Sequence, residues 1–231
     1  NAPQSAPSRL APSHKPLTTQ RIFGDAEFSA DYFGRIRWLA DGSGYTAVEK
    51  SSAKKKDKNG KEVSIGRDIV FYDPATSNRK VLITAKQLTP DNANEPLSID
   101  NYIWSDDRKK LLIYTNSKRV WRSKSRGDYW LLDIDTSKLS QIGGKEAAES
   151  SLMFAKFSST GNDVAYVRQN NIYVQHLSSM EIEQLTFDAS DHIINGNFDW
   201  VYEEEFSIRD GFRWSPDGSK IAYWQLNTSR S

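Results

Sequence analysis

The 231-residue sequence contains no cysteine, which excludes disulfides, thiolate metal ligands and a cysteine nucleophile while leaving the compartment open. Histidine is almost as scarce. His14, His176 and His192 stand without ligand spacing, so neither a metal site nor a metal cofactor is expected. No apolar run is long enough to span a bilayer. Neither sign of charge dominates, with 31 basic against 30 acidic residues, so bulk electrostatics point to neither nucleic acid nor an anionic membrane. Gly-x-Ser-x-Gly, His-Glu-x-x-His, a Walker loop and Gly-x-Gly-x-x-Gly are all missing. The chain therefore brings no nucleophile with its base and no phosphate-cradling loop, and no catalytic residue or cofactor is assigned to it.

What is present is a repeat. Trp38-Leu39-Ala40-Asp41-Gly42-Ser43-Gly44-Tyr45 returns as Trp104-Ser105-Asp106-Asp107 leading into Leu111-Leu112-Ile113-Tyr114. It returns again at Phe157-Ser158-Ser159-Thr160-Gly161 and at Trp214-Ser215-Pro216-Asp217-Gly218. Each copy has an aromatic closing one strand, a Ser/Asp/Gly turn and a short apolar strand coming back, which is hairpin chemistry. A second limb follows the first three copies, opening at Asp68, Asp128 and Asn171, and each limb is followed by a further short run. Four short strands per unit predict an all-β fold of β-propeller blades, three complete and a fourth begun. The Ala-, Pro- and Ser-rich residues 1–16 read as a flexible leader on a processed, exported chain, with a bacterial periplasm as the expected location. Residues 17–231 read as a partial propeller that stops within its fold.

Three stretches interrupt the repeat. Lys54 to Lys61 carries five lysines and an Asn-Gly turn, and is expected to be a basic hairpin tip guarding a sheet edge. Arg119 to Arg126 is a basic segment around Trp121, readable as a solvated extension with a hydrophobic anchor. Its functional reading is an arginine held by the tryptophan near a ligand carbonyl or carboxylate. The third stretch is Asp199-Trp200-Val201-Tyr202-Glu203-Glu204-Glu205-Phe206, where Asp199 is a plausible N-cap for a short helix. Carboxylates in a first turn suit the helix dipole. Successive helical residues are about 100° apart, so two of the three glutamates, but not all, can converge on one cation, most simply an ammonium group.

Asp199 to Glu205, followed by Trp214-Ser215-Pro216-Asp217-Gly218 and Ile221 to Asn227, resembles the N-terminal propeller of the dipeptidyl peptidase IV family, in the prolyl-oligopeptidase clan of serine peptidases. The resemblance covers about 17 to 227 and is strongest in the last third. It implies that this chain is about the first half of an eight-bladed propeller. A C-terminal α/β-hydrolase domain bearing a Ser-Asp-His triad would lie elsewhere in the same protein, and a homodimer is common in the family. The implied activity is release of Xaa-Pro or Xaa-Ala dipeptides from peptide substrates with a free N-terminus. Matched by motif, Glu204 and Glu205 would grip the substrate ammonium, Arg122 of the Trp121-Arg122 pair would contact a substrate carbonyl, and Tyr202 and Phe206 would line the cavity. The spacer from the glutamates to Trp214 is about one residue shorter than in these relatives. Anchoring from Trp214 would shift the pair to Glu203 and Glu204, whereas identity is continuous from Asp199. A prolyl tripeptidyl peptidase, or a non-catalytic peptide- or protein-binding propeller, is the alternative within the same scaffold.

Overall fold

The computed structural model describes residues 16–25, 27–28 and 36–229. The chain divides into two compact units, 1–34 and 35–231. In the first, Gln20–Gly24 form one π-type turn, and Arg21 is paired with Glu27 at 2.6 Å. The leader expected over 1–16 lies, apart from Pro16, outside the described residues.

The second unit is built of short antiparallel strands, as the repeat requires. The first blade contains β1 (Ile36–Trp38) and β2 (Tyr45–Lys50). An arm follows, made of β3 (Lys54–Lys56) and β4 (Glu62–Ser64), and the blade is completed by β5 (Arg67–Tyr72) and β6 (Arg79–Ile83). The sheet order is β1-β2-β5-β6, with β3 and β4 pairing only with each other. The lysine run is thus one strand of a separate hairpin and not a tip on a sheet edge. Because β2 and β5 pair directly, an insertion between them must leave the sheet as its own two-stranded arm.

The second blade is β7 (Asn101–Trp104), β8 (Lys110–Arg119), β9 (Lys124–Asp133) and β10 (Leu139–Gln141). The third is β11 (Leu152–Phe157), β12 (Asp163–Arg168), β13 (Asn171–His176) and β14 (Ile182–Gln184). The fourth begins with β15 (Ile193–Asn195), α1 (Trp200–Phe206), β16 (Phe212–Trp214), β17 (Ile221–Tyr223) and β18 (Gln225–Asn227). The run from Ile221 to Asn227 is not one strand. It breaks at Trp224, so that β17 pairs with β16 and β18 pairs with β15.

The four repeat turns share one hydrogen-bond scheme. Leu39, Ser105, Ser158 and Ser215 each donate their N–H across the turn, to the carbonyls of Gly44, Lys110, Asp163 and Lys220 at 2.8–2.9 Å. Each also accepts from the N–H three residues on, at Gly42, Arg108, Gly161 and Gly218. Those four residues have φ between 58° and 72°, which is why glycine fills three of them. The serine hydroxyls at 105, 158 and 215 accept a further backbone N–H at 2.9–3.1 Å. The turns also touch in series: Arg108 pairs with Asp41, and the Ser159 hydroxyl donates to the Ser215 carbonyl at 2.8 Å.

Period-two alternation stacks the blades. On β8, Leu111 and Ile113 pack with Ile69, Ile83 and Leu88, which belong to or follow the first blade, whereas Leu112 packs with Leu152, Val164 and Tyr166 of the third. On β12, Val164 and Tyr166 face the second blade, while Ala165 and Val167 pack with Phe212 of the fourth. Aspartates within the third strands of the first two blades hold the connections. Asp68 Oδ1 accepts the Ala85 N–H at 2.7 Å, and Asp128 Oδ1 accepts that of Ser150 at 2.7 Å. The fold is all-β, with propeller-like stacking and sheets that do not close. Among the described residues no helix is long and apolar enough to cross a membrane.

Candidate functional site

Helix α1 stands on an excursion from the fourth blade. Its stem is closed where Asn197 bridges Asp210 and where Gly211 N–H donates to the Gly196 carbonyl at 3.1 Å. A Cβ on Gly211 would lie 2.8 Å from the Gly196 carbonyl carbon, so only glycine permits this backbone approach. Asp199 caps the helix as the sequence predicts, its Oδ1 accepting the N–H groups of Val201 and Tyr202 at 3.1 and 3.2 Å. Ser207, at φ 54°, ends it.

The other half of the site is the tip of the β8–β9 hairpin, which at ten residues per strand is the longest in the fold. The Val120 N–H donates to the Ser123 carbonyl at 3.0 Å and closes the tip. Val120, and not Trp121, is the hydrophobic anchor. Val120 packs against the cluster between the third and fourth blades, while Trp121 is 42% exposed. At a tight tip, neighbouring side chains diverge, so burying one turns the next outward.

The hairpin tip and the helix meet through Arg122, whose Nε lies 2.5 Å from Oε1 of Glu204. The Arg122 side chain is 78% exposed and that of Glu204 15%. Glu203 points inward, with its side chain only 3% exposed. Its Oε1 has no hydrogen-bond partner among the described residues and stands 3.8 Å from Nη1 of Arg209. Glu205 is exposed and has no hydrogen bond or ion pair among the described residues.

Tyr202 and Phe206 lie one turn apart with their rings tilted at 45° and 5.8 Å between centroids, and the Tyr202 ring also packs, tilted, 5.0 Å from that of Phe198. Tyr202 lines a cleft of about 660 Å³ with Phe198, Phe212, Tyr223 and Trp224. Phe206 is 62% exposed. Glu204 is two residues on from Tyr202, about 200° around the helix, so this aromatic column and the Arg122–Glu204 pair occupy different faces.

Several charged neighbours carry no motif. Lys156 Nζ donates to both oxygens of Asp210 at 2.5 Å and to the Phe212 carbonyl at 3.0 Å, lying over the Phe212 ring. Burial lowers the Lys156 pKa, and Asp210 opposes that shift. Asp210 also receives Arg213 at 3.0 Å. Together with Ser123, Arg209 and Tyr114 they line a cleft of about 1040 Å³. Chemically, the arrangement offers an ion-paired guanidinium on a hairpin and a row of carboxylates on a helix, suited to a ligand carrying an acceptor beside a cation.

The family described as the dipeptidyl peptidase IV (DPP IV) N-terminal region matches residues 105–230. A probable dipeptidyl-aminopeptidase B of Sordaria macrospora is 32% identical over 83% of this chain and 20% of its own length. Dipeptidyl aminopeptidase B of Saccharomyces cerevisiae is 36% identical over 66% of this chain and 18% of its own. Among solved structures, Porphyromonas gingivalis dipeptidyl peptidase 4 superposes with a TM-score of 0.73 at 25% identity, covering 93% of this chain and 28% of that one. This sequence thus spans about a fifth of the length of these curated relatives. On the profile match over the blades and the helix that carry the site, the chain belongs to the dipeptidyl peptidase IV N-terminal region family.

Proposed function

We propose that this chain is the substrate-anchoring part of a serine exopeptidase that releases Xaa-Pro or Xaa-Ala dipeptides. In this reading Glu204 and Glu205 clamp the substrate's N-terminal ammonium. The observation that carries the proposal is the Arg122–Glu204 pair, which joins a hairpin tip to a capped helix beside the unpaired Glu205. An enzyme that counts two residues from a chain end must recognise what distinguishes that end, namely its free ammonium. The Arg122 side chain stays largely exposed beside Glu204, so its guanidinium can also meet a substrate carbonyl. Across Glu203, Glu204, Glu205, Arg122 and Arg209 the charges come to three negative and two positive, and an ammonium balances them. In the same reading, the nucleophile and its base lie in an α/β-hydrolase domain of the same polypeptide, and the whole protein is a homodimer.

The test is hydrolysis of a chromogenic Xaa-Pro amide and its N-acetylated twin by the full-length natural protein. The free-amine substrate is expected to be cleaved and the acetylated one not. Glu205→Gln is expected to lower kcat/KM about 10–100-fold without changing the melting temperature, because a lost hydrogen bond between charged groups costs about 1.5–3 kcal/mol. Equal cleavage of both substrates would discard the clamp. Release of tripeptides would move the reading to the tripeptidyl relative, and no cleavage of any peptide would leave a binding propeller.

A further inference from the structure

The hairpin and the helix are joined a second time, one residue over on each. Arg209, in the loop after α1, donates from Nη1 to the hydroxyl of Ser123, 86 residues away in sequence, and the same nitrogen stands 3.8 Å from Oε1 of Glu203. Ser123 adjoins Arg122 and Glu203 adjoins Glu204, so Arg209 spans the same two elements that the Arg122–Glu204 pair spans. Glu203 gives this contact its weight. Its side chain is 3% exposed and Oε1 has no hydrogen-bond donor among the described residues, so Arg209 is the cation that faces this buried carboxylate. Other charges nearby are committed elsewhere: Lys156 and Arg213 hold Asp210, and Arg122 holds Glu204. The Arg122–Glu204 pair, exposed on its Arg122 side, cannot fix its own geometry, since an ion pair with a solvated partner contributes only about 0–1 kcal/mol.

We infer that Arg209 is the positioning residue of the anchoring site. It neutralises Glu203 and ties the hairpin tip to α1, so that Arg122 and Glu204 keep one separation. Its role in substrate selection rests on the function proposed above, while the clip itself does not.

The experiment uses the full-length protein carrying Arg209→Met, Glu203→Gln or both. Two readouts are taken: amide hydrogen exchange over the hairpin tip and α1, and the ratio of kcat/KM for the free-amine and acetylated substrates. Arg209→Met is expected to speed exchange in both elements by about tenfold or more, with β2 and β5 unchanged. It should lower the substrate ratio at least about tenfold, mainly through KM. Adding Glu203→Gln removes the unpaired charge but leaves the tie to Ser123 broken, so the double variant is expected to keep exchange faster and the substrate ratio lower than in the wild type, each by at least about threefold. Unchanged exchange in Arg209→Met, or faster exchange with an undiminished ratio, would overturn the positioning role, and so would a double variant in which both readouts match the wild type. If Arg209→Met does not fold, the double variant decides: faster exchange with a lowered ratio supports the clip and wild-type behaviour rejects it. A wild type that cleaves both substrates equally, or neither, overturns the ammonium reading alone, and the clip is then judged by exchange.

Discussion

At the scale of single residues, the buried polar atoms report where the fold tolerates cost. Tyr166 is fully buried and stacks on Tyr173 at 5.7 Å, yet its hydroxyl has no partner. Burial pushes its pKa up to about 12, with Arg168 opposing the shift. Tyr166→Phe deletes an unsatisfied group and keeps the ring, so it is expected to stabilise by about 1 kcal/mol, measured by urea unfolding. His176 behaves differently. Its Nδ1 lies 2.6 Å from Asp163, and that carboxylate raises its pKa above 6.5. A raised folded-state pKa gives stability that is complete below the unfolded value and is lost as pH rises through the folded one. The melting temperature is therefore expected to fall slightly from pH 6.5 upward, the ring being 43% exposed, and His176→Gln should remove that slope.

At the scale of elements, the turn is the recurring unit, and its chemistry was legible in the sequence because it is local. Three glycines and Arg108 share one left-handed backbone position, and the side-chain pairs Ser105–Asp107 and Ser215–Asp217 each bond within their own turn. Open space surrounds the Cβ position of Gly42, so Gly42→Ala tests backbone strain alone and is expected to cost about 1 kcal/mol. At Gly218 a Cβ would also meet Thr160 Cγ2 at 3.2 Å, so Gly218→Ala is expected to cost more. Thermal unfolding of both variants checks the order. Asp41 and Asp217 are held near pKa 2, the first chiefly by the Ser43 N–H and the second chiefly by the Ser215 hydroxyl. Their contribution is present above about 3.8 and is lost as pH falls towards 2, which places the acid limit of these turns in that window. Helix α1 was equally legible, since Asp199 caps it with bonds to residues two and three positions on.

At the scale of the whole molecule, stability resides in the faces between blades, and neighbouring residues on one strand serve different faces. Leu111 and Leu112 are each at most 1% exposed. Either truncation to alanine is expected to cost about 2–5 kcal/mol, but the loss should appear in different places. Leu111→Ala is expected to reduce hydrogen-exchange protection in β5 and β6, and Leu112→Ala in β11 and β12, because each blade contacts only its neighbours. Equal loss in both pairs of strands for either variant would show a single cooperative core instead.

By itself the sequence determined the blades, their turns and the capped helix, and it marked the glutamate segment and Trp121-Arg122 as departures from the repeat. All of these depend on contacts within a few residues or on a pattern of period two. Only the tertiary structure decided which glutamate turns inward, since that depends on how a seven-residue helix is rotated by its stem at Gly196 and Gly211. It also decided that Val120 anchors the hairpin, that the lysine arm leaves the sheet, and that Tyr202 and Phe206 lie away from Glu204. Arg209 was invisible for the same reason: its partners, Ser123 and Glu203, become neighbours only when the second and fourth blades stack on either side of the third.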